Sequence, residues 1–286
     1  MPVLMCPPTY FGIEYEINPW MHLEVPVDRA EASRQWKALC ATYRDLGVEV
    51  LFADPLSGLP DMVFTANAAV VHGDRVVLSR FRHSQRQGEE PSWARLFESW
   101  GYEVSDAIGI PFEGAGDALF VGDTLFCGYG FRTDPRAIPA AGRALGVETV
   151  PLELVDPRFY HLDTCFCPLD SRTVLLAPNG VSAESADRIR RLVERVIEVP
   201  EQVATGFACN ALAVGSTVVS STALEALRSP LAEAGFRVAG LPMSEFMKAG
   251  GGVRCLSLPG VGPRDRARSA PAATAEPAAR PAGDAG

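Results

Sequence analysis

Apolar and polar positions along this chain fall into a pattern that returns five times. Each return is a short apolar run, a polar residue at its end, a hairpin-like stretch about a tight turn, and then an amphipathic helical pattern. The hairpins are NAAVVHGDRVVLSRF, DALFVGDTLFCGYG, DTCFCPLDSRTVLLAP and NALAVGSTVVSST, and a fifth is cut short as CLSLP. Gly-Asp, Gly-Asp, Asp-Ser and Gly-Ser at their centres suit tight hairpins, because these residues tolerate the backbone angles such turns demand. Apolar periodicity predicts helices over about 29–46, 90–100, 135–145, 182–195 and 222–235. A brief strand follows each: VEVLF, YEVSD, VETVP, VIEVP and FRVAG.

The polar residues that lead these units are Asn67, Asp117, Asp163, Asn210 and Cys255, and one further step back reaches Asn18 in EINPWM. Their spacings are 49, 50, 46, 47 and 45 residues. So regular a period indicates a repeat architecture, and five strand–hairpin–helix units of about 45–50 residues predict an α/β fold closed into a ring. Closure removes exposed strand edges, and it would bring the six polar residues to one place near the axis. The alternative is two ordinary α/β domains with these residues as turn punctuation.

Composition narrows the partners. The chain has 286 residues, 47% hydrophobic and 21% charged, which is enough to bury a large core. A net charge of −9 argues against nucleic acid and is compatible with a cationic substrate. No apolar run approaches membrane-spanning length, and the N-terminus lacks the pattern of a signal peptide. Seven cysteines, an odd number, suggest reduced thiols and a cytoplasmic location. From Pro263 the composition collapses to Ala, Pro, Arg and Gly. The expected organisation is a single domain over 1–262 and a disordered tail over 263–286.

Candidate chemistry clusters on the repeat. In KAGGGVRCLSLP a lone cysteine, Cys255, follows three glycines, which allow backbone and ligand to come close, as a nucleophile requires. His161 in FYHLDTCF lies two residues before Asp163 at an expected strand start, where period-2 alternation sends both to one side. PFEGAGDALF places Glu113 and Asp117 around Gly-Ala-Gly, and LPDMVFTANAAVV places Asp61 and Asn67 around an extended segment. A thiol, an imidazole and several carboxylates suit covalent catalysis on a planar cation rich in N–H donors, namely a guanidinium. His22, His72 and His83 stand alone, Cys165 and Cys167 are expected in packed core, and no phosphate loop is present. Neither a metal nor a cofactor is expected.

These motifs resemble the guanidino-group-modifying enzymes of the pentein fold, a five-bladed α/β propeller, over about Tyr15 to Pro259. That superfamily includes arginine deiminases, dimethylarginine dimethylaminohydrolases, amidinotransferases and dihydrolases. The resemblance implies a catalytic set of Cys255, His161 and Glu113, with Asp163, Asn67 and Asp117 on the guanidinium. It also implies Arg86 in SQRQGEE and Arg132 in YGFRTD as clamps for the substrate's carboxylate, and Asn18 at the site. EYEINPWM, DMVFTANA and FEGAGD together look most like arginine dihydrolases, which convert arginine to ornithine, ammonia and carbon dioxide. Those enzymes can carry a second, cyclodeaminase-type domain.

Where deiminases and dimethylargininases place a carboxylate, this chain has Asn67. An amide holds a guanidinium less tightly and a ureido group better, so a ureido product could be retained and attacked again. The implied mechanism is attack by Cys255 on the guanidinium carbon, protonation of departing ammonia by His161, and hydrolysis of a thiouronium intermediate. The alternatives are a dimethylarginine dimethylaminohydrolase or deiminase that stops at citrulline, an amidinotransferase, and a non-enzymatic ring-shaped binding module. A scaffold has no use for Cys255, His161 and Glu113 together. A homo-oligomer is compatible with all of these.

Overall fold

The computed structural model describes residues 1–105 and 109–264. Among them, fifteen strands form five three-stranded sheets. In chain order the strands are β1 (Val3–Met5), β2 (Val50–Phe52), β3 (Ala69–His72), β4 (Arg75–Leu78), β5 (Glu103–Ser105), β6 (Ala118–Val121), β7 (Thr124–Tyr129), β8 (Thr149–Glu153), β9 (Phe166–Pro168), β10 (Thr173–Leu176), β11 (Arg195–Glu198), β12 (Leu212–Val214), β13 (Thr217–Ser221), β14 (Arg237–Leu241) and β15 (Leu258–Pro259). Every sheet is built alike. An antiparallel pair is extended by a parallel strand, as β3-β4-β5, β6-β7-β8, β9-β10-β11, β12-β13-β14 and β15-β1-β2. A parallel neighbour requires a crossover, and the predicted helices supply it.

The fifth unit corrects the expectation of a hairpin cut short. Its antiparallel partner comes from the other end of the chain: Val3 pairs with Pro259 and Leu4 with Leu258. No local turn signal could reveal a pairing between segments so far apart in sequence.

The helix Arg29–Asp45 shows how the crossovers form. The Asp28 carboxylate accepts from the N–H groups of Ala30 at 2.9 Å and Glu31 at 3.0 Å, capping the first turn. Ala32, Gln35, Trp36, Leu39, Cys40 and Tyr43 then recur at helical spacing and are buried. The helices Glu90–Ser99 and Ala137–Leu145 agree with the pattern. The fourth stops at Leu192, earlier than predicted, because Val193 is extended and buried in the core. The fifth is split into a 3-10 segment, Thr222–Leu227, and a short α-helix, Arg228–Glu233. Pro230, which lacks an N–H to continue the earlier hydrogen-bond ladder, lies just after the junction.

All seven cysteines are free and buried. Among the described residues, no helix is long and apolar enough to cross a membrane. Of the segment assigned to the tail, Pro263 and Arg264 are described and the rest lies outside the described residues. Arg264 is tied down: its N–H donates to the Trp100 carbonyl at 2.8 Å, its side chain to the Gly73 carbonyl, and its guanidinium covers the Tyr102 ring.

Candidate active site

The leading polar residues of the repeat sit just before the first strand of each sheet. Asn67 lies in the 3-10 turn Thr65–Ala68 before β3, Asp117 closes the single helical turn Gly114–Asp117 before β6, and Asp163 lies in the 3-10 turn Leu162–Thr164 before β9. Asn210 precedes β12 and Cys255 precedes β15. All five are at most 2% exposed. Neighbouring units are stitched together here. The Leu162 N–H donates to Asp117 Oδ1 at 3.0 Å, Asn210 Nδ2 to the Asp163 carbonyl at 3.2 Å, the Cys255 N–H to Asn210 Oδ1 at 3.1 Å, and the Ala66 N–H to the Cys255 carbonyl at 3.1 Å.

At the remaining junction Arg80 and Phe112 exchange backbone hydrogen bonds at 2.8 and 2.9 Å and the Arg82 N–H donates to Glu113 Oε1 at 3.2 Å, and close packing adds to them. A Cβ at Gly116 would lie 2.1 Å from Asn67 Nδ2 and 3.4 Å from the His161 ring, so the glycine lets these two groups close on each other. A Cβ at Gly252 would likewise meet Asn210 Oδ1 at 2.9 Å. These contacts answer why small residues precede Asp117 and Cys255.

At the centre, Asn210 Nδ2 lies 3.0 Å from Cys255 Sγ, and the thiol lies 3.3 Å from Asp163 Oδ2. Burial, reinforced by the Asp163 charge, pushes the Cys255 thiol well above its usual range. Burial also pushes Asp163 up to about 7 and Asp117 up to about 6. Glu113 goes the other way. Burial opposes its ionisation, but the Arg132 guanidinium at 2.9 Å and His161 Nε2 at 2.7 Å hold it well below the usual carboxylate range. Thr133 Oγ1 locks the two carboxylate-bearing segments together, accepting from the Glu113 N–H at 3.1 Å and donating to Asp117 Oδ2 at 2.7 Å. With Nε2 engaged by Glu113, His161 keeps Nδ1 unpartnered.

Above this centre, a narrow cleft is lined by Asn18, Asp61, Asn67, Arg86, Arg132 and Cys255, among others. Its free space is only about 10 Å³, room for one water at most. Of the predicted carboxylate clamps, Arg86 spends four of its five N–H donors: on Glu89 at 2.8 and 3.0 Å, on Asn67 Oδ1 at 2.9 Å, and on the Asp61 carbonyl at 3.2 Å. Arg132 spends two, on Glu113 and on the Ile17 carbonyl at 2.9 Å, and lies over the Tyr160 ring. Asn18 is not at the start of a strand. It stands at the rim, donating to the Ala249 carbonyl at 3.1 Å and accepting from the Trp20 N–H at 2.9 Å. Five of the six repeat residues therefore meet, and the sixth looks on.

A family model described as N,N dimethylarginine dimethylhydrolase, eukaryotic, matches residues 8–260. The chain belongs to this dimethylarginine dimethylhydrolase family. The N(G),N(G)-dimethylarginine dimethylaminohydrolase of Mycobacterium tuberculosis is 42% identical over 254 residues, covering 89% of this chain and 84% of that protein. The bifunctional arginine dihydrolase/ornithine cyclodeaminase ArgZ of Synechocystis sp. is 45% identical over 262 residues, covering 90% of this chain. The chain spans 37% of ArgZ's length. Among solved structures, the N-terminal domain of ArgZ from cyanobacteria, as a cysteine-to-serine mutant bound to substrate, is 44% identical with a TM-score of 0.86. That match covers 90% of this chain and 97% of the other. The same domain as an asparagine-to-serine mutant is covalently bonded to a reaction intermediate, again with a TM-score of 0.86, 44% identity and coverage of 90% and 96%.

Several features of this dimethylarginine dimethylhydrolase-family site escape a linear reading. His161 is extended, but Asp163 lies in a 3-10 turn rather than in a strand, and Asn67 is in a turn rather than an extended segment. Asn210 carries the repeat register without an assigned role, yet it holds Cys255 at both Sγ and N–H. Asp61, in the 3-10 turn Pro60–Val63, lines the cleft, accepts from the Tyr15 hydroxyl at 3.0 Å, and is pushed up by burial. Glu89, which grips Arg86, left no signal in the sequence. His22 does not stand alone: it is exposed beside Glu16 and Glu24, with ligand-type atoms within 4.8 Å of one another.

Proposed function

We propose that the five sheets close into a five-bladed α/β ring and that its polar end is the active site of an arginine dihydrolase. The pairing of β1 with β15 and the junction contacts running from Asn67 to Cys255 support the ring. The observation that carries the activity is a concentration of unsatisfied groups. Among the described residues, six buried side-chain polar atoms lack a partner, and four of them belong to this site: Asp61 Oδ1, Asn67 Nδ2, His161 Nδ1 and Asp163 Oδ1. Buried groups left unpaired are costly, and a guanidinium supplies the N–H donors that the two carboxylate oxygens want.

The orientation of Asn67 sharpens the product. Arg86 can only donate, so it fixes Oδ1 toward itself and leaves Nδ2 to face the site. The amide thus offers a donor, which suits the carbonyl oxygen of a ureido group better than the N–H groups of a guanidinium. Retention of the ureido species permits a second attack.

In this mechanism the Cys255 thiol gives its proton to the unpartnered Nδ1 of His161 once a cation is bound beside it, since positive charge stabilises a thiolate. Sulfur attacks the guanidinium carbon, and a C–N bond breaks as His161 Nδ1 gives a proton to departing ammonia. Water deprotonated by His161 attacks the thiouronium carbon, the C–S bond breaks, and a ureido product forms. Repetition releases the second ammonia and a carbamate of ornithine, which loses carbon dioxide. Glu113 fixes the His161 ring throughout. Asp163 and Asp61 bind the substrate's cation, Asp117 braces Leu162, and Asn18 and Arg132 face its amino-acid end, with Arg86 limited to one free N–H. Free space of about 10 Å³ is too small for arginine, so substrate entry requires residues that line the cleft to rearrange.

A second reading, dimethylarginine dimethylaminohydrolase, is favoured by the match to the M. tuberculosis protein, which covers 84% of that protein's length. The deciding experiment is incubation with L-arginine, citrulline or dimethylarginine, measuring ammonia per ornithine or citrulline formed. Two ammonia per ornithine from arginine supports the dihydrolase. Citrulline alone, or turnover of dimethylarginine only, overturns it.

A further inference from the structure

The first strands of the five sheets begin at the catalytic residues and then run on to line a second space. Val71 of β3, Leu119 and Phe120 of β6, Leu212 of β12 and Leu258 of β15 form its apolar wall, and among the described residues Arg254 is its only charged side chain. The cavity measures about 300 Å³, at the low end of small-molecule sites, which run roughly 300–1,000 Å³. Among the described residues, no acidic one lines it.

Arg254 is the anomaly. It is 8% exposed, yet among the described residues its side chain donates one hydrogen bond, from Nη1 to the Ser257 carbonyl at 2.6 Å, and forms no salt bridge. A guanidinium has five N–H donors, so four are free at the edge of an apolar cavity. A buried charge without a paired counterion is costly. Burial pulls the guanidinium's pKa down while the Asp163 charge opposes the shift. The other buried cations in this region, Arg86 and Arg132, are each paired with a carboxylate.

We propose that this cavity is a second binding site, for a small amphiphilic monocarboxylate whose head pairs with Arg254 and whose hydrocarbon body lies along the strand walls. Charge complementarity sets the head, because a planar guanidinium takes a carboxylate bidentately. The apolar lining sets the body, and the volume sets its size. Room for roughly ten water-sized units at ~30 Å³ each corresponds to about ten heavy atoms, as in octanoate. A cation finds no acidic partner here, and a hydrophilic anion leaves the walls unsatisfied. The proposal is independent of the reaction proposed above, since it concerns binding at residues outside the cleft.

The test is isothermal titration of the full chain with octanoate, octan-1-ol and inorganic phosphate. Octanoate is expected to bind at one site at least tenfold more tightly than either control. Arg254→Gln should weaken it at least tenfold. Because Arg254 is buried beside Cys255, that variant could fail to fold, so Val71→Trp provides a second arm: it fills the cavity from a half-buried wall position and should abolish octanoate binding with the circular dichroism spectrum retained. Equal binding of octanol removes the role of Arg254, and equal binding of phosphate removes the role of the walls. Octanoate affinity unchanged in Val71→Trp places the ligand elsewhere. Any of these three results overturns the proposal.

Discussion

The two ends of the inner strands make opposite use of the same backbone. Where the strands begin, Asn67, Asp117, Asp163, Asn210 and Cys255 pack closely with His161 and Glu113, and the cleft that Asn67 and Cys255 help to line has only about 10 Å³ free. Further along, the same strands present Val71, Leu119 and Leu258 around about 300 Å³ with one cation. Volume alone would therefore point away from the chemistry. Polar groups held at close range by hydrogen bonds and by Gly116 mark the end proposed as the active site, and their cost in stability is offset by the apolar packing of the sheets behind them.

The sharpest break in this comparison comes at the thiol. Cys255→Ser should leave the fold intact and reduce ammonia release from arginine to below about 1%, because a serine hydroxyl is a far poorer nucleophile here. A haloacetamidine reagent should label Cys255 and spare Cys165, Cys167 and Cys209, which lie in the core. Labelling spread over several thiols would erase the distinction between the reactive end and the rest of the ring.

Next comes product partition. Asn67→Asp places a carboxylate against Arg86 and turns an acceptor toward the substrate, favouring the guanidinium over the ureido group. Citrulline should rise about tenfold relative to ornithine, which corresponds to ~1.4 kcal/mol of differential binding. Unchanged partition on chromatographic analysis would sever the link between the Asn67 donor and the second hydrolysis.

Proton linkage follows. Burial raises Asp163 to about 7 from its usual 3.8, so in the free protein its contribution to stability is fully present below 3.8 and is lost as pH rises through about 7. A bound guanidinium favours the ionised carboxylate. Arginine affinity of the Cys255→Ser protein should therefore rise by up to about tenfold per pH unit as pH increases toward that value and level off above it, with proton uptake by buffer seen in calorimetry. Affinity independent of pH between 5 and 8 would mean that Asp163 does not face the cation.

A smaller effect tests the cost of the polar end. Asp163→Asn removes a buried carboxylate with an unpartnered oxygen, so substrate binding should fall while the melting temperature rises by a few degrees, about 1–2 kcal/mol. A lower melting temperature would show that the carboxylate stabilises the ring. Smallest of all, removal of residues 265–286 should leave melting unchanged, whereas a cut after Gly262 should lower stability by about 1 kcal/mol through loss of the Arg264 hydrogen bonds. Equal melting of the two truncations would show that this docking is energetically silent.

By itself the sequence determined the spacing of the units, four hairpins, most of the crossover helices and which polar residues stand at equivalent places. Those features are local: turn residues, apolar period and caps act within a few positions. Tertiary structure decided the rest. The strand that completes CLSLP comes from Val3–Met5, the Asn67 amide is oriented by Arg86, Arg86 is itself held by Glu89, and Arg254 is left facing an apolar cavity. Each depends on which groups meet between the five sheets, and a side chain's free donors can be counted only after its distant neighbours have taken theirs.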